Sequence, residues 1–150
     1  MYQIRDKVVL VTGSTAGLGK ELAFQLGLRG ARVILNGRNQ EKLHRVTREF
    51  KTHGFDIAAV KGDVSSPDEC RKIVDQCIDT FGRLDILVSN AGIGSGGLFE
   101  DTTPEIFRKV FEINTLGTIF ITSFALPHIR ESRGSIVFIS SLAGLMGFPY

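Results

Sequence analysis

The chain alternates short runs of consecutive apolar residues with longer stretches in which apolar positions recur every three or four residues. The short runs are VVLVT (Val8 to Thr12), RVILN (Arg32 to Asn36), DIAAVKG (Asp56 to Gly62), DILVSN (Asp85 to Asn90) and SIVFIS (Ser135 to Ser140). They are rich in β-branched residues and apolar on successive positions, which predicts strands covered on both faces. Five such runs separated by four helical stretches predict a parallel α/β sheet.

The helical stretches carry their own boundaries. Leu18, Leu22 and Leu26 stripe the first, and Gly30 closes it. Leu43, Val46 and Phe50 stripe the second, with Gly54 as a left-handed cap. The third opens on SPDE, where Ser66 caps, Pro67 takes the first helical position and Glu69 completes a capping box. Its apolar face reads Cys70, Ile73, Val74, Cys77, Ile78 and Phe81, and Gly82 ends it. The fourth is expected from Thr103 and Pro104 to about Pro127.

Composition narrows the class. At 150 residues and 43% hydrophobic content the chain is one domain with a sizeable core. Its 18 Lys and Arg are scattered and nearly balanced by 16 Asp and Glu, which excludes nucleic-acid binding driven by bulk charge. Cys70 and Cys77 stand two turns apart on one helix face, too far for a disulfide, and read as reduced core residues with no metal. The N-terminus lacks the layout of a signal peptide, and no apolar run approaches ~20 residues, so a soluble cytoplasmic protein without a membrane span is expected.

The first strand runs directly into TGSTAGLG, Thr12 to Gly19. Gly13, Gly17 and Gly19 permit a tight turn and close backbone approach, and leave the first N–H groups of the next helix free for a pyrophosphate. Ser14, Thr15 and Leu18 complete that candidate cofactor loop. A second glycine-rich loop, Gly92 to Glu100, follows the carboxyl end of the fourth strand, where open α/β sheets bind ligands. Asn114 shares a helix face with Val110, Gly117 and Ile121, where an apolar residue is expected. Its amide is either a satisfied core group, the mark of a local kink, or functional. Ser140 and Ser141 end the fifth strand, and the absence of a G-x-S-x-G elbow argues against a hydrolase nucleophile there.

The T-G-x-x-x-G-x-G spacing, GDV at Gly62 to Val64, NAG at Asn90 to Gly92, Asn114 and GSIVFISS at Gly134 to Ser141 occur in order along the chain. Together they resemble the short-chain dehydrogenase/reductase family over essentially the whole sequence; the extended, epimerase-type branch, with its T-G-x-x-G-x-x-G loop, fits less well. The resemblance implies a Rossmann-type doubly wound sheet with strand order 3-2-1-4-5, the first five strands of a longer one. It implies hydride transfer between a nicotinamide cofactor and a small-molecule carbonyl or secondary alcohol, in a homodimer or homotetramer. Gly13, Gly17 and Gly19 would line the pyrophosphate, Asp63 and Val64 would flank the adenine, and Asn90, Ala91 and Gly92 would lie beside the ribose. Asn114 would hold a water in a proton relay, and Ser141 would orient the substrate oxygen.

Cofactor choice follows from the end of the second strand. NAD-dependent enzymes place an acid there for the ribose hydroxyls, whereas this chain has Gly37 and then Arg38, so NADP(H) is expected over NAD(H). The family's proton donor is a tyrosine in a Y-x-x-x-K motif. Tyr150 follows Ser141 by nine residues, short of the family's spacing, so the motif is expected a few residues past Tyr150. On this reading residues 1–150 are an NADP-binding domain truncated on its C-terminal side and inactive alone, with SIVFIS as an aggregation-prone apolar edge. The alternative is a truncated nucleotide-binding module without catalysis. Phe99, Phe148 and the Gly92 to Gly97 loop suggest an apolar entrance, and the substrate stays open.

Overall fold

In the computed structural model, which describes residues 3–147, every residue of the first strand is buried. That strand, β1 (Val8–Val11), lies at the centre of a five-stranded parallel sheet with β2 (Arg32–Gly37), β3 (Ile57–Lys61), β4 (Ile86–Ser89) and β5 (Ser135–Phe138). The order is β3-β2-β1-β4-β5, the doubly wound arrangement expected from the sequence. Helices α1 (Gly17–Leu28) and α2 (Gln40–Thr52) cover one face; α3 (Pro67–Phe81) and α5 (Gly117–Glu131) cover the other, with α4 (Pro104–Phe111) leading into α5.

Successive side chains of β1 point to opposite faces, so the strand feeds two cores. Val9 and Val11 join Val33, Leu35, Leu43 and Phe50 beneath α1 and α2. Val8 and Leu10 join Ile34, Ile73, Leu87 and Ile121 beneath α3 and α5. At the amino edge of the sheet the buried carboxylate of Asp85 accepts from the Val8 N–H (3.0 Å), Arg83 (2.6 Å to Nη2) and Lys7 (3.3 Å). This stitching leaves the carboxyl edge, where the strands release their loops, free for a ligand.

Four local expectations are corrected. The buried face of α1 is Gly19, Ala23 and Gly27, while Leu18 is 56% exposed. Small residues let the helix lie close to its neighbours: a Cβ on Gly27 would meet the Phe55 ring, and one on Gly19 would meet the Gly13 carbonyl oxygen at 2.6 Å. The capping box on α3 is half formed. Ser66 accepts from the Glu69 N–H at 3.3 Å, but the Glu69 carboxylate accepts from the backbone N–H of Asp63 at 2.7 Å instead of returning to Ser66. The fourth helical stretch passes through Pro127 and ends at Glu131. It also contains a π-helical turn, Glu112–Leu116, between α4 and α5.

Because α4, the π turn and α5 are continuous, Pro104–Glu131 is 28 residues with mean hydropathy 1.3, long and apolar enough to meet the length and composition test for a membrane span. No such run was expected from the sequence. Its Ile113, Gly117, Ile121, Ala125 and Ile129 are buried against the rest of the fold, while Phe107, Phe111 and Ile119 on its other side are exposed. Gly117 allows the closest approach, since a Cβ there would lie 2.9 Å from Val64 Cγ2. Beyond α5, β5 pairs on one side only, with β4, and its Phe138 is 56% exposed.

Candidate nucleotide site

A cleft of about 530 Å³ opens where β1, β2, β3 and β4 end. Its floor is fixed by Thr12, fully buried at the end of β1. The Thr12 hydroxyl oxygen accepts from the backbone N–H groups of Asn90 (2.9 Å) and Ala91 (3.0 Å), and the Asn90 side-chain amide donates to the Thr12 carbonyl at 2.8 Å. These bonds lock the glycine loop to the turn after β4. Gly13 sits at φ +65° with Ala91 so near that a Cβ would meet its Cα at 2.8 Å, so conformation and space both require glycine.

Ser14 has a different task from its neighbours. It is buried, its N–H donates to the Asn36 carbonyl (2.9 Å), and its hydroxyl accepts from the Asn36 N–H (2.9 Å). It braces the loop against β2 from behind the cleft wall. Asn36 in turn donates its side-chain amide to the carbonyls of Val60 and Gly62, at 3.2 Å each, and holds the ends of β2 and β3 together.

The amino terminus of α1 faces this cleft without a cap. Ala16 precedes it in extended conformation with no side-chain bond to the first turn, and no acid lies in that turn. By contrast Asn39, Ser66 and Thr103 cap α2, α3 and α4 with their side chains. The first N–H groups of α1 are therefore open donors carrying the positive end of the helix dipole.

The far end of the cleft is ionic. Arg38, 55% exposed, donates from Nη1 to Oδ2 of Asp63 at 3.3 Å, and Oδ1 of Asp63 accepts from the N–H (3.0 Å) and hydroxyl (2.8 Å) of Ser65. Partial burial raises the Asp63 pKa, but the Ser65 and Arg38 bonds outweigh it and hold the carboxyl below its ordinary value. Gly37 is packed against Thr15, whose Cγ2 would lie 2.6 Å from an added Cβ, so the site of the missing acid is closed to a side chain while Thr15 stays in place. Lys42, in the first turn of α2, lines the same cleft.

Gly13, Thr15, Gly17, Leu18, Gly19, Arg38, Asp63, Val64, Asn90, Ala91 and Gly92 all line the cleft; Ser14, Asn114 and Ser141 do not. Asn114 is exposed, contrary to the apolar position expected, because the π turn rotates it off the buried stripe. Its side chain accepts from the Ile93 N–H at 2.9 Å and donates to the Ile93 carbonyl at 2.8 Å, clamping the loop after Gly92. Ser141 is exposed beyond β5 and caps the turn Leu142–Gly144 by accepting from the Ala143 N–H at 3.1 Å. Gly37 and Gly62, named in the sequence beside Arg38 and Asp63, line it too, as do Ala16, Asn36, Lys42, Ile93 and Ile113, which the sequence did not single out. Lys42 follows Arg38 by four residues, close enough to have been found by extending the search one helical turn.

Beside the Asn114 clamp, Leu98, Phe99, Phe107 and Val110 line a second cavity of about 410 Å³, in which the Phe99 and Phe107 rings meet edge to face. Phe99 is 81% exposed, whereas Phe148 and Tyr150 lie outside the described residues. Cys70 and Cys77 are buried and donate to the carbonyls of Val64 and Ile73. Burial pushes both thiols up to about 12.

A family model described as short chain dehydrogenase matches residues 7–150. Versicolorin reductase stcU of Emericella nidulans is 42% identical over 149 residues, covering 99% of this chain and 56% of that protein. 11-beta-hydroxysteroid dehydrogenase A of Sesamum indicum is 40% identical, over 97% of this chain and 42% of that one. A short chain dehydrogenase/reductase of Burkholderia phymatum, solved in complex with NAD, superposes with TM-score 0.94 at 26% identity, covering 99% of this chain and 54% of that one. The chain thus spans about half the length of the curated relatives it matches.

Proposed function

The chain belongs to the short-chain dehydrogenase/reductase family of oxidoreductases, and we propose that it forms the cofactor-binding part of an enzyme that transfers a hydride between NADP(H) and a carbonyl or secondary alcohol. The observation that carries this reading is the uncapped amino terminus of α1, aimed into a cleft walled by Gly13, Gly19 and the Asn90 turn. Its free N–H groups suit a pyrophosphate, which a capped helix would not accept as readily. The bound cofactor supplies the redox step.

The chain's own residues bind and orient. The Thr12–Asn90 clamp fixes the floor on which the ribose would lie, and Asp63 and Val64 stand where the adenine would. Gly37, closed to a carboxylate, and Arg38, a bidentate-capable cation, support NADP(H) over NAD(H). The NAD in the Burkholderia phymatum structure belongs to that protein. Ser141, on the carboxyl side of β5, would orient the substrate oxygen, and Asn114 would hold the water that carries protons to the site. Residues 1–150 contain no complete Y-x-x-x-K motif.

The test is turnover by the full-length protein with NADPH and with NADH against a panel of ketones, followed by loss of reduced-nicotinamide absorbance. NADPH-dependent reduction that Ser141→Ala abolishes, and whose cofactor preference Arg38→Asp reverses, supports the reading. Better turnover with NADH by the unaltered protein overturns the cofactor assignment. Full activity of Ser141→Ala overturns the role given to the serine.

A further inference from the structure

We infer that Thr118 is a positioning residue: paired with Ser89, it sets the π turn so that Asn114 grips the loop at Ile93; its part in the reaction rests on the function proposed above. Asn114 lies inside the π turn Glu112–Leu116, where the regular helical spacing is broken. Both ends of its carboxamide are committed, one accepting from the Ile93 N–H at 2.9 Å and the other donating to the Ile93 carbonyl at 2.8 Å. Gly92 lies against this grip, since a Cβ there would stand 3.4 Å from Asn114 Oδ1. What fixes Asn114 itself is a bond to its backbone.

Thr118, in the first turn of α5, donates its hydroxyl to the Asn114 carbonyl at 3.0 Å. The same oxygen accepts from the hydroxyl of Ser89, the last residue of β4, at 3.1 Å. A carbonyl cannot donate, so the chain runs one way, from Ser89 through Thr118 to Asn114. Bonds from a helical hydroxyl to the carbonyl four residues back are ordinary, and Thr47, Thr80 and Ser123 each make one. Among the described residues none of those three accepts a bond from another element, whereas Thr118 is tied to the sheet. Ser89 is 4% exposed, so its hydroxyl needs this partner. Together the bonds close a ring that leaves β4 at Ser89, crosses Thr118 and Asn114 to Ile93, and returns along the Asn90–Gly92 turn. Thr12 holds that turn from the glycine loop, and Thr118 holds it from the π turn. Ile93 and Ile113 line the nucleotide cleft, so the ring shapes its wall beside the Asn90 turn and leaves the ionic end alone. The plainer alternative is a bond that only fastens α5 to β4.

The experiment uses the full-length protein as parent, Thr118→Val, Thr118→Ser and the double variant Ser89→Ala/Thr118→Val, which leaves no buried serine hydroxyl deserted should the single valine variant fail to fold. Two quantities are read: exchange of the Ile93 amide by NMR, and kcat and KM for NADPH with a ketone that the parent reduces. Asn114 is the residue given the proton-carrying water, so its displacement shows in kcat, while α1 and Arg38 still anchor the cofactor. Thr118→Val is expected to speed Ile93 exchange and to lower kcat, each about tenfold, the scale of one lost hydrogen bond, with KM for NADPH unchanged. The double variant is expected to match it, and Thr118→Ser to restore both. With an active parent, unchanged Ile93 exchange in the valine variants overturns the inference alone. Faster exchange with unaltered kcat, or with a loss carried by KM alone, reduces Thr118 to a packing bond and also overturns it. A parent that reduces no ketone with either cofactor overturns the proposed function, and with it the part of Thr118 in the reaction, even where Ile93 exchange responds as expected.

Discussion

Thr12→Val replaces a buried hydroxyl with a methyl of the same shape, so nothing changes in volume while two backbone donors lose their acceptor. The Thr12 oxygen is bonded by the N–H groups of Asn90 at 2.9 Å and Ala91 at 3.0 Å. A deserted buried donor costs about 1–3 kcal/mol, and these two residues are half-buried, so about 1–2 kcal/mol each is appropriate. The variant no longer buries a hydroxyl, whose own bond to the Val88 carbonyl is long at 3.4 Å, which returns roughly 1 kcal/mol. The net expectation is a loss of about 1–3 kcal/mol. It is read from the urea midpoint with the slope unchanged. Nucleotide affinity should fall as well, because the same bonds hold the Asn90–Gly92 turn against the glycine loop, and Thr12→Ser should restore both. A stability change under about 0.5 kcal/mol, the range of an ordinary surface substitution, would refute the clamp.

Asp85→Asn should cost about 2 kcal/mol at neutral pH by removing the charge from four hydrogen bonds, two of them from Arg83. Burial raises the Asp85 pKa, but Arg83, the Val8 N–H and Lys7 lower it further, so the net value in the fold is depressed. A depressed carboxyl stabilises above its unfolded pKa and loses that contribution as pH falls through the folded value, so Asp85→Asn should flatten the acid limb of the stability profile; an unchanged limb contradicts the network. Cys70 and Cys77, with thiols near 12, should resist iodoacetamide at neutral pH until the protein is unfolded; labelling of the native protein would show the burial to be wrong. Produced as these 150 residues alone, the chain should self-associate through the β5 edge, where Val137, Phe138 and Ile139 are exposed; a stable monomer by sedimentation would contradict this.

β1, β2 and β4 were legible because both faces of the sheet are covered there, so each wrote a continuous apolar run, and the parallel order followed from the helices between the strands; β5 writes the same run although most of it is exposed, contrary to the covered strand expected. The glycine loop was legible because Gly13 is forced by conformation and contact alike. What hydropathy could not show is where smallness does the packing. The α1 leucines dominate any periodicity, yet Gly19, Ala23 and Gly27 face the sheet. The π turn was hidden because one extra residue per turn leaves composition untouched while rotating Asn114 out of the apolar stripe. The Arg38–Asp63 pair joins residues 25 apart in sequence, and the Glu69 carboxylate chose the Asp63 N–H over its own helix cap; neither follows from local spacing. Lys42 was passed over because a lysine in a first helical turn reads the same whether it meets solvent or a cleft.

We propose that the uncapped start of α1 and the ionic end of the same cleft together bind NADP(H). Amide hydrogen exchange of the protein with and without saturating NADPH tests it at residue level. Slowed exchange at Gly17, Leu18 and Gly19, together with Arg38 and the Asp63–Ser65 turn, is the predicted result. Unchanged exchange at α1's first turn under conditions where NADPH is bound would contradict it.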